Sequence, residues 1–375
     1  MCPKRFAHGD HKVRTAFWLF AAAACVLHVR ADHSIDEFPR LADESDDAPR
    51  LQRAVEATPG GVLRIPAGTY ALSATLSITN SCSLEMNKSA VLRAVKEMPF
   101  VVRVNDRLKW GLSRNDDRRQ DLGTFVTGGR IDGAGLASCM AIDAFHHYTL
   151  RDTVFQNGRK YGLAVGSETN GGNELVAENL YFNCFMSGLA GNTAVYAGVS
   201  DCHYTDCIVV DWTVGFHLAK GGAQRLTRCH VWGGALPPPH PGEMREMLKD
   251  SVCFKVEGSG SILRDCYADT GETGFEIGAW DTRLFGCSYF SNKKYGLDNI
   301  TIIRHKFGRL FVSGALFVKS APNVKVYDGC GKVAWRDIIY SGFGPDDYCP
   351  GALVEDGRGG KQPGSAASAP LDLAN

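Results

Sequence analysis

An excess of charge of one sign is missing: 41 Lys and Arg residues stand against 41 Asp and Glu. Proteins that wrap nucleic acid need a basic surplus, so that class is excluded, and any anionic ligand must be met by a local patch. The 13 cysteines include no Cys-x-x-Cys pair, and the 11 histidines lack zinc-ligand spacing. An ordinary structural metal site is therefore not expected. Beyond the first thirty or so residues no long apolar run occurs, so the body of the chain is not expected to cross a membrane.

The apolar run that does occur is terminal. Lys4, Arg5, Lys12 and Arg14 precede Thr15 to Leu27, and Val29-Arg30-Ala31 offers a small-residue cleavage site. This predicts a signal peptide over 1–31 and a secreted or periplasmic protein with no membrane contact after signal removal. Cys2 and Cys25 would leave with it, and the 11 that remain cannot all pair within one chain. Most lie in apolar strand patterns, where Cys is a small buried hydrophobe. Cys330 and Cys349, in a loop-rich C-terminal segment, are the expected disulfide.

Asp46 and Asp47 open a short helical pattern in which Ala48, Leu51, Ala54 and Val55 share one face. Pro59-Gly60-Gly61 ends it, Val62–Ile65 reads as a strand, and Pro66-Ala67-Gly68-Thr69-Tyr70 as a turn. One helix before an otherwise all-strand chain suggests a cap over the first edge of a β structure. From about Thr124 to Ser320 the chain repeats. Asp152, Asn179, Cys207, Cys229, Cys266 and Cys287 align, followed two residues later by Val154, Tyr181, Val209, Val231, Ala268 and Tyr289. A polar turn follows, then usually a Gly and an alternating strand, as in Gly215-Phe216-His217-Leu218 and Gly274-Phe275-Glu276-Ile277. Such a period predicts an all-β single-stranded parallel β-helix over 44–345, with Cys207, Cys229, Cys266 and Cys287 buried, stacked and unpaired. The long repeat holds an insertion at 235–249. The Gly-, Ser-, Ala- and Pro-rich tail over 357–375 is expected to be disordered.

Strand alternation gives the first candidate site. With Phe216, Phe254, Phe275 and Leu297 in the core, His217, Lys255, Glu276 and Asp298 face outward in one column. The two preceding repeats carry Ala164 and Ala190 there, so the column becomes charged abruptly. The second candidate is the turn before the Glu276 strand, where Asp269, Glu272 and Glu276 fall within eight residues and Asp250 precedes the equivalent strand one repeat earlier. Cleaving a glycosidic bond needs two carboxyls, one donating a proton and one attacking or activating water. Trp212, Trp232, Tyr267, Trp280 and Phe290 suit sugar stacking, with Trp280 a substrate-binding candidate.

Asp46-Asp47 with the following helix, then Gly60-Gly61-Val62-Leu63-Arg64-Ile65-Pro66-Ala67-Gly68-Thr69-Tyr70, resembles the opening of pectate-lyase-superfamily and polygalacturonase-like proteins. The resemblance implies the right-handed, pectin-lyase-like form of the β-helix. Cys266 to Ile277 resembles the polygalacturonase turn, with Glu272 at its first Asp position, Thr273 replacing its second, and Asp250 near its preceding-rung Asp. Lys293 and Asp298 fall near its later substrate-binding segment. The expected activity is carboxylate-based cleavage of a polysaccharide or oligosaccharide by Asp250, Glu272, Asp269 and Glu276, without a cofactor. A uronic-acid lyase using His217 and Lys255, with calcium on Glu276 and Asp298, is the alternative, and a non-catalytic glycan-binding β-helix is a third. Sugar identity and oligomeric state are left open.

Overall fold

The computed structural model describes residues 32–105, 124–143, 146–166, 173–186, 189, 191–233, 249–290, 299–319, 323–330, 332–343, 353–355 and 361–363. The proposed signal peptide, most of the 235–249 insertion, Lys293, Asp298 and Cys349 lie outside them.

Among the described residues the chain winds into three sheets of twelve, thirteen and ten strands, here sheets I, II and III, parallel throughout except for the last pair of sheet II. Each coil contributes one short strand to each sheet in turn. His203–Thr205, Ile208–Trp212 and Val214–Leu218 form one coil, and Arg225–Thr227, His230–Gly233 and Val252–Val256 form the next. Ile262–Arg264, Tyr267–Asp269 and Thr273–Gly278 follow, then Thr282–Phe285, Ser288–Phe290 and Asn299–Phe307. Every pairing between these coils is parallel.

One backbone feature sets the period. The bend from sheet I to sheet II is made at a left-handed residue: Asp152, Asn179, Asp206, Arg228, Asp265 and Gly286 all have φ between 51° and 61°. Asp, Asn and Gly tolerate that conformation best. Asn179 donates to Asp152 at 2.6 Å, and Arg228 forms a two-point ion pair with Asp206 at 2.7 Å. These bends show that the repeats align one residue away from the expected register at two places. Asp152 and Asn179 stack with Asp206 and Asp265, so Thr153 and Leu180 occupy the column that continues as cysteine.

That column holds. Cys207, Cys229, Cys266 and Cys287 are buried and free, each thiol lying against backbone carbonyls such as Ala177 O, Tyr204 O, Arg264 O and Leu263 O. Burial pushes the Cys266 thiol well up, as it does Cys82, which is raised to about 12. Cys330 is exposed, with its thiol toward Lys306 O; its expected partner Cys349 lies outside the described residues.

Aromatic stacking fills the core between the coils. Phe216, Phe254 and Phe275 stack nearly parallel at 5.6 and 5.2 Å. The glycine before each such strand is steric in origin where sheet II turns into sheet III: a Cβ on Gly215 would meet Cys253 O at 2.4 Å, and one on Gly274 the Tyr289 ring at 2.6 Å.

The helix Ala48–Glu56 caps this stack, burying Ala48, Leu51, Ala54 and Val55 as expected. Asp46, not Asp47, accepts the Ala48 N–H; Asp47 instead holds Ala71 N–H and Arg40. The Gln52 amide exchanges two hydrogen bonds with the backbone of Ser77, in the terminal strand of sheet III. The helix thus satisfies an edge that would otherwise stay open. The expected turn at 66–70 is shorter, since a strand begins at Gly68. Of the tail, Lys361–Pro363 pairs antiparallel with Leu353–Glu355, and the remainder after Gly357 lies outside the described residues.

Candidate functional site

Coil-to-coil register places His217, Lys255 and Glu276 side by side on the outer face of sheet III. The next member is Arg304, not Asp298, because Asn299–Phe307 is the strand that pairs here and Ile303, not Leu297, continues the Phe stack. The preceding member is Tyr196 rather than Ala190. The signal for the true register was the set Ile300, Ile302 and Ile303 within Asn299–Phe307, all three buried.

Two residues from the ends of these strands complete the cluster. His217 Nε2–H donates to Glu257 Oε2 at 2.7 Å, and Lys255 Nζ lies 3.2 Å from Glu257 Oε1. Glu276 is ringed by cations: Lys306 Nζ at 2.8 Å, Arg304 Nη1 at 3.5 Å and Lys255 Nζ at 4.0 Å. It is only 7% exposed. Its carboxylate is therefore already engaged as the shared counter-charge of Lys306, Arg304 and Lys255. Burial lowers the His217 pKa despite the opposing Glu257 contact, so the ring is mostly neutral near pH 7 with Nδ1 carrying its lone pair. Burial also pushes the Glu257 carboxyl up, but hydrogen bonds from His217 and Lys255 outweigh it and the net shift is downward.

The second cluster lies where sheet II turns into sheet III. Asp250, in a left-handed turn with φ 59°, donates its backbone N–H to Glu272 Oε2 at 2.6 Å. Glu272 N–H in turn donates to Ser251 Oγ at 3.0 Å. The Asp250 backbone and the Glu272 carboxylate are thus in direct contact across consecutive coils. Asp269 stands a few residues back, on the outer face of sheet II. Its Oδ1 accepts from Thr270 Oγ1 and its Oδ2 from Tyr267 OH at 3.3 Å, with His230 Nε2 3.8 Å from the same oxygen. Burial, and then the Asp269 charge, raise the Tyr267 hydroxyl strongly, so it remains a donor.

Beside Asp269 runs an aromatic ladder. His230 stacks on Tyr267 at 4.3 Å, and Tyr267 lies 4.5 Å from Phe290 on the next coil. Trp232 pairs in register with Asp269. Trp212 is fully buried and offers no sugar platform. Trp280 is 54% exposed but stands beyond the far end of Thr273–Gly278, at the turn into sheet I, away from the carboxylates. The two candidate clusters lie on two faces that meet at a corner: Asp250, Glu272 and Asp269 with the aromatic ladder on one side, His217, Lys255 and Glu276 on the other. His230, Glu257, Arg304 and Lys306 were not singled out from sequence, because each becomes a neighbour only across coils.

Among the described residues no group of three or more His, Cys, Asp or Glu side chains is placed to hold a metal ion, and no helix is long and apolar enough to cross a membrane.

These features define a right-handed parallel β-helix. Residues 138–302 match the family model described as the right handed beta helix region. Among solved structures, the enzymatically active domain of tailspike protein 2 of bacteriophage CBA120 is similar at 12% identity and TM-score 0.56, covering 83% of this chain and 47% of that one. The tailspike protein of E. coli bacteriophage HK620, in complex with a pentasaccharide, is similar at 13% identity and TM-score 0.51, over 83% of this chain and 67% of that one. An endo-xylogalacturonan hydrolase from Aspergillus tubingensis aligns at 12% identity and TM-score 0.47, over 82% and 95%. This chain therefore spans about half of the CBA120 domain and two-thirds of the HK620 protein. No curated protein matches it in sequence.

Proposed function

We propose that this protein is an exported carbohydrate-active enzyme that cleaves glycosidic bonds where sheet II turns into sheet III, using Asp250 and Glu272. The observation that carries the reading is the 2.6 Å hydrogen bond from the Asp250 backbone N–H to the Glu272 carboxylate, which joins the two acidic residues across consecutive coils. Adjacent coils lie about 4.8 Å apart, a spacing compatible with the carboxyl separations that paired-carboxyl glycosidases use. Glu272, fixed by the Asp250 N–H, is the group that attacks or activates water. Asp250, whose side chain is exposed, is the partner carboxyl that delivers the proton. Asp269 and Tyr267 hold sugar hydroxyls, and the His230–Tyr267–Phe290 ladder stacks against the ring faces. The pentasaccharide bound by a tailspike of the same fold supports a glycan as the ligand class.

One observation favours a second reading. The neutral His217, oriented by Glu257 and facing the Lys255 cation, is the arrangement needed to remove a proton beside a uronic carboxylate. The test is a polysaccharide panel followed at once for new reducing ends and for absorbance of unsaturated products. Reducing ends without absorbance support hydrolysis, both together support the lyase, and neither overturns an enzymatic role in favour of binding.

A further inference from the structure

A groove of about 460 Å³ lies on the outer face of sheet I, toward the C-terminal coils. That size falls within the range of small-ligand sites. Its floor is Phe285 and Phe311, on consecutive coils with rings 5.5 Å apart. Arg283 stands in register with Phe311, and Lys332 in register with Arg309. Arg309 is paired with Asp281 at 2.7 Å. Neither Arg283 nor Lys332 has a carboxylate partner among the described residues. Three cations therefore face one carboxylate around an apolar floor, in a chain whose total charge is zero. Where sheet III turns into this face, Trp280 and Phe307 are each about half exposed and extend the aromatic surface.

We propose that this groove binds an anionic saccharide, one bearing carboxylate or sulfate groups, at a site separate from the Asp250–Glu272 corner. The two phenyl rings accept the C–H face of a sugar ring, and Arg283 and Lys332, which have no carboxylate partner among the described residues, take its charged groups through charge-assisted hydrogen bonds. A nucleic-acid strand would need a longer basic track, whereas these cations span only three coils. The site does not depend on cleavage elsewhere. It would hold a polymer on the solenoid whether the corner hydrolyses, eliminates or only binds.

The test is calorimetric titration of the full chain with trigalacturonate, a chondroitin sulfate tetrasaccharide, neutral cellotetraose and a short oligothymidine. At least one anionic sugar should bind, more weakly as salt rises, and cellotetraose should not bind at this site. The double change Arg283→Gln with Lys332→Gln should weaken binding by about tenfold or more, and Phe311→Ala should weaken it as well. Glu272→Gln should leave it unchanged, which separates this site from the corner. All these positions lie at the surface, and melting temperatures close to wild type verify the fold. Failure of both anionic sugars to bind, wild-type affinity in the double variant, or tighter binding of oligothymidine would each overturn the proposal.

Discussion

The Glu272 carboxylate accepts the backbone N–H of Asp250 from the preceding coil, 2.6 Å away. A Gln at position 272 keeps an oxygen to accept that hydrogen bond but cannot take up a proton or attack. Glu272→Gln and Asp250→Asn should therefore each lower turnover by about 10²–10⁴, with melting temperatures close to wild type. Reducing-end assays beside thermal melts check this. Full activity in both variants would move the chemistry away from the corner.

Glu276 should behave differently. Its side chain is the shared counter-charge of Lys255, Arg304 and Lys306, so Glu276→Gln leaves three cations crowded together. Because those cations are partly exposed, the expected cost is about 1–2 kcal/mol rather than that of a fully buried broken pair. Urea unfolding should show this loss, with turnover per folded molecule little changed.

The cysteine column tests the packing of the solenoid. Cys266→Ala removes one buried sulfur and should cost about 1–2 kcal/mol. Cys266→Asp places a charge there without a partner and should prevent folding. In the native protein a thiol reagent should label the exposed Cys330 quickly, and leave Cys207, Cys229, Cys266 and Cys287 protected until unfolding.

Acid should weaken the fold through its histidines. Burial lowers the pKa of His305, which is 1% exposed and bonded to Phe307 O and Tyr327 OH, and that of His217. A lowered folded-state value means that the unfolded chain binds the proton more readily. The stability involved is complete above the ordinary imidazole value of about 6.5, and is lost as pH falls from there through the folded value. His305→Gln should therefore show a smaller drop in melting temperature between pH 7.5 and pH 5.5 than wild type. Equal drops would place the acid sensitivity in other groups.

Much of the architecture was determined by local sequence. The helix from Ala48, the alternation that buries Phe216, Phe254 and Phe275, and the repeat of polar turns and short strands all act within a few residues of chain. Each is visible without knowing what stacks on it. The Cys column was legible for the same reason, since four coils carry the same residue at the same local position.

The outer face was decided by tertiary structure. Which residue stands beside Glu276 depends on hydrogen bonds to another coil, and turns of unequal length between strands let that register shift without any local mark. Hence Arg304 rather than Asp298 completes the column, Tyr196 rather than Ala190 precedes it, and Asp152 and Asn179 align one residue away. The Asp250–Glu272 contact, the sheathing of Glu276, and the separation of Trp280 from the carboxylates arise in the same way. Core positions are dictated by each strand's own alternation and burial. Surface partners are dictated by how the coils are stacked, which the chain sets only when all of them close together.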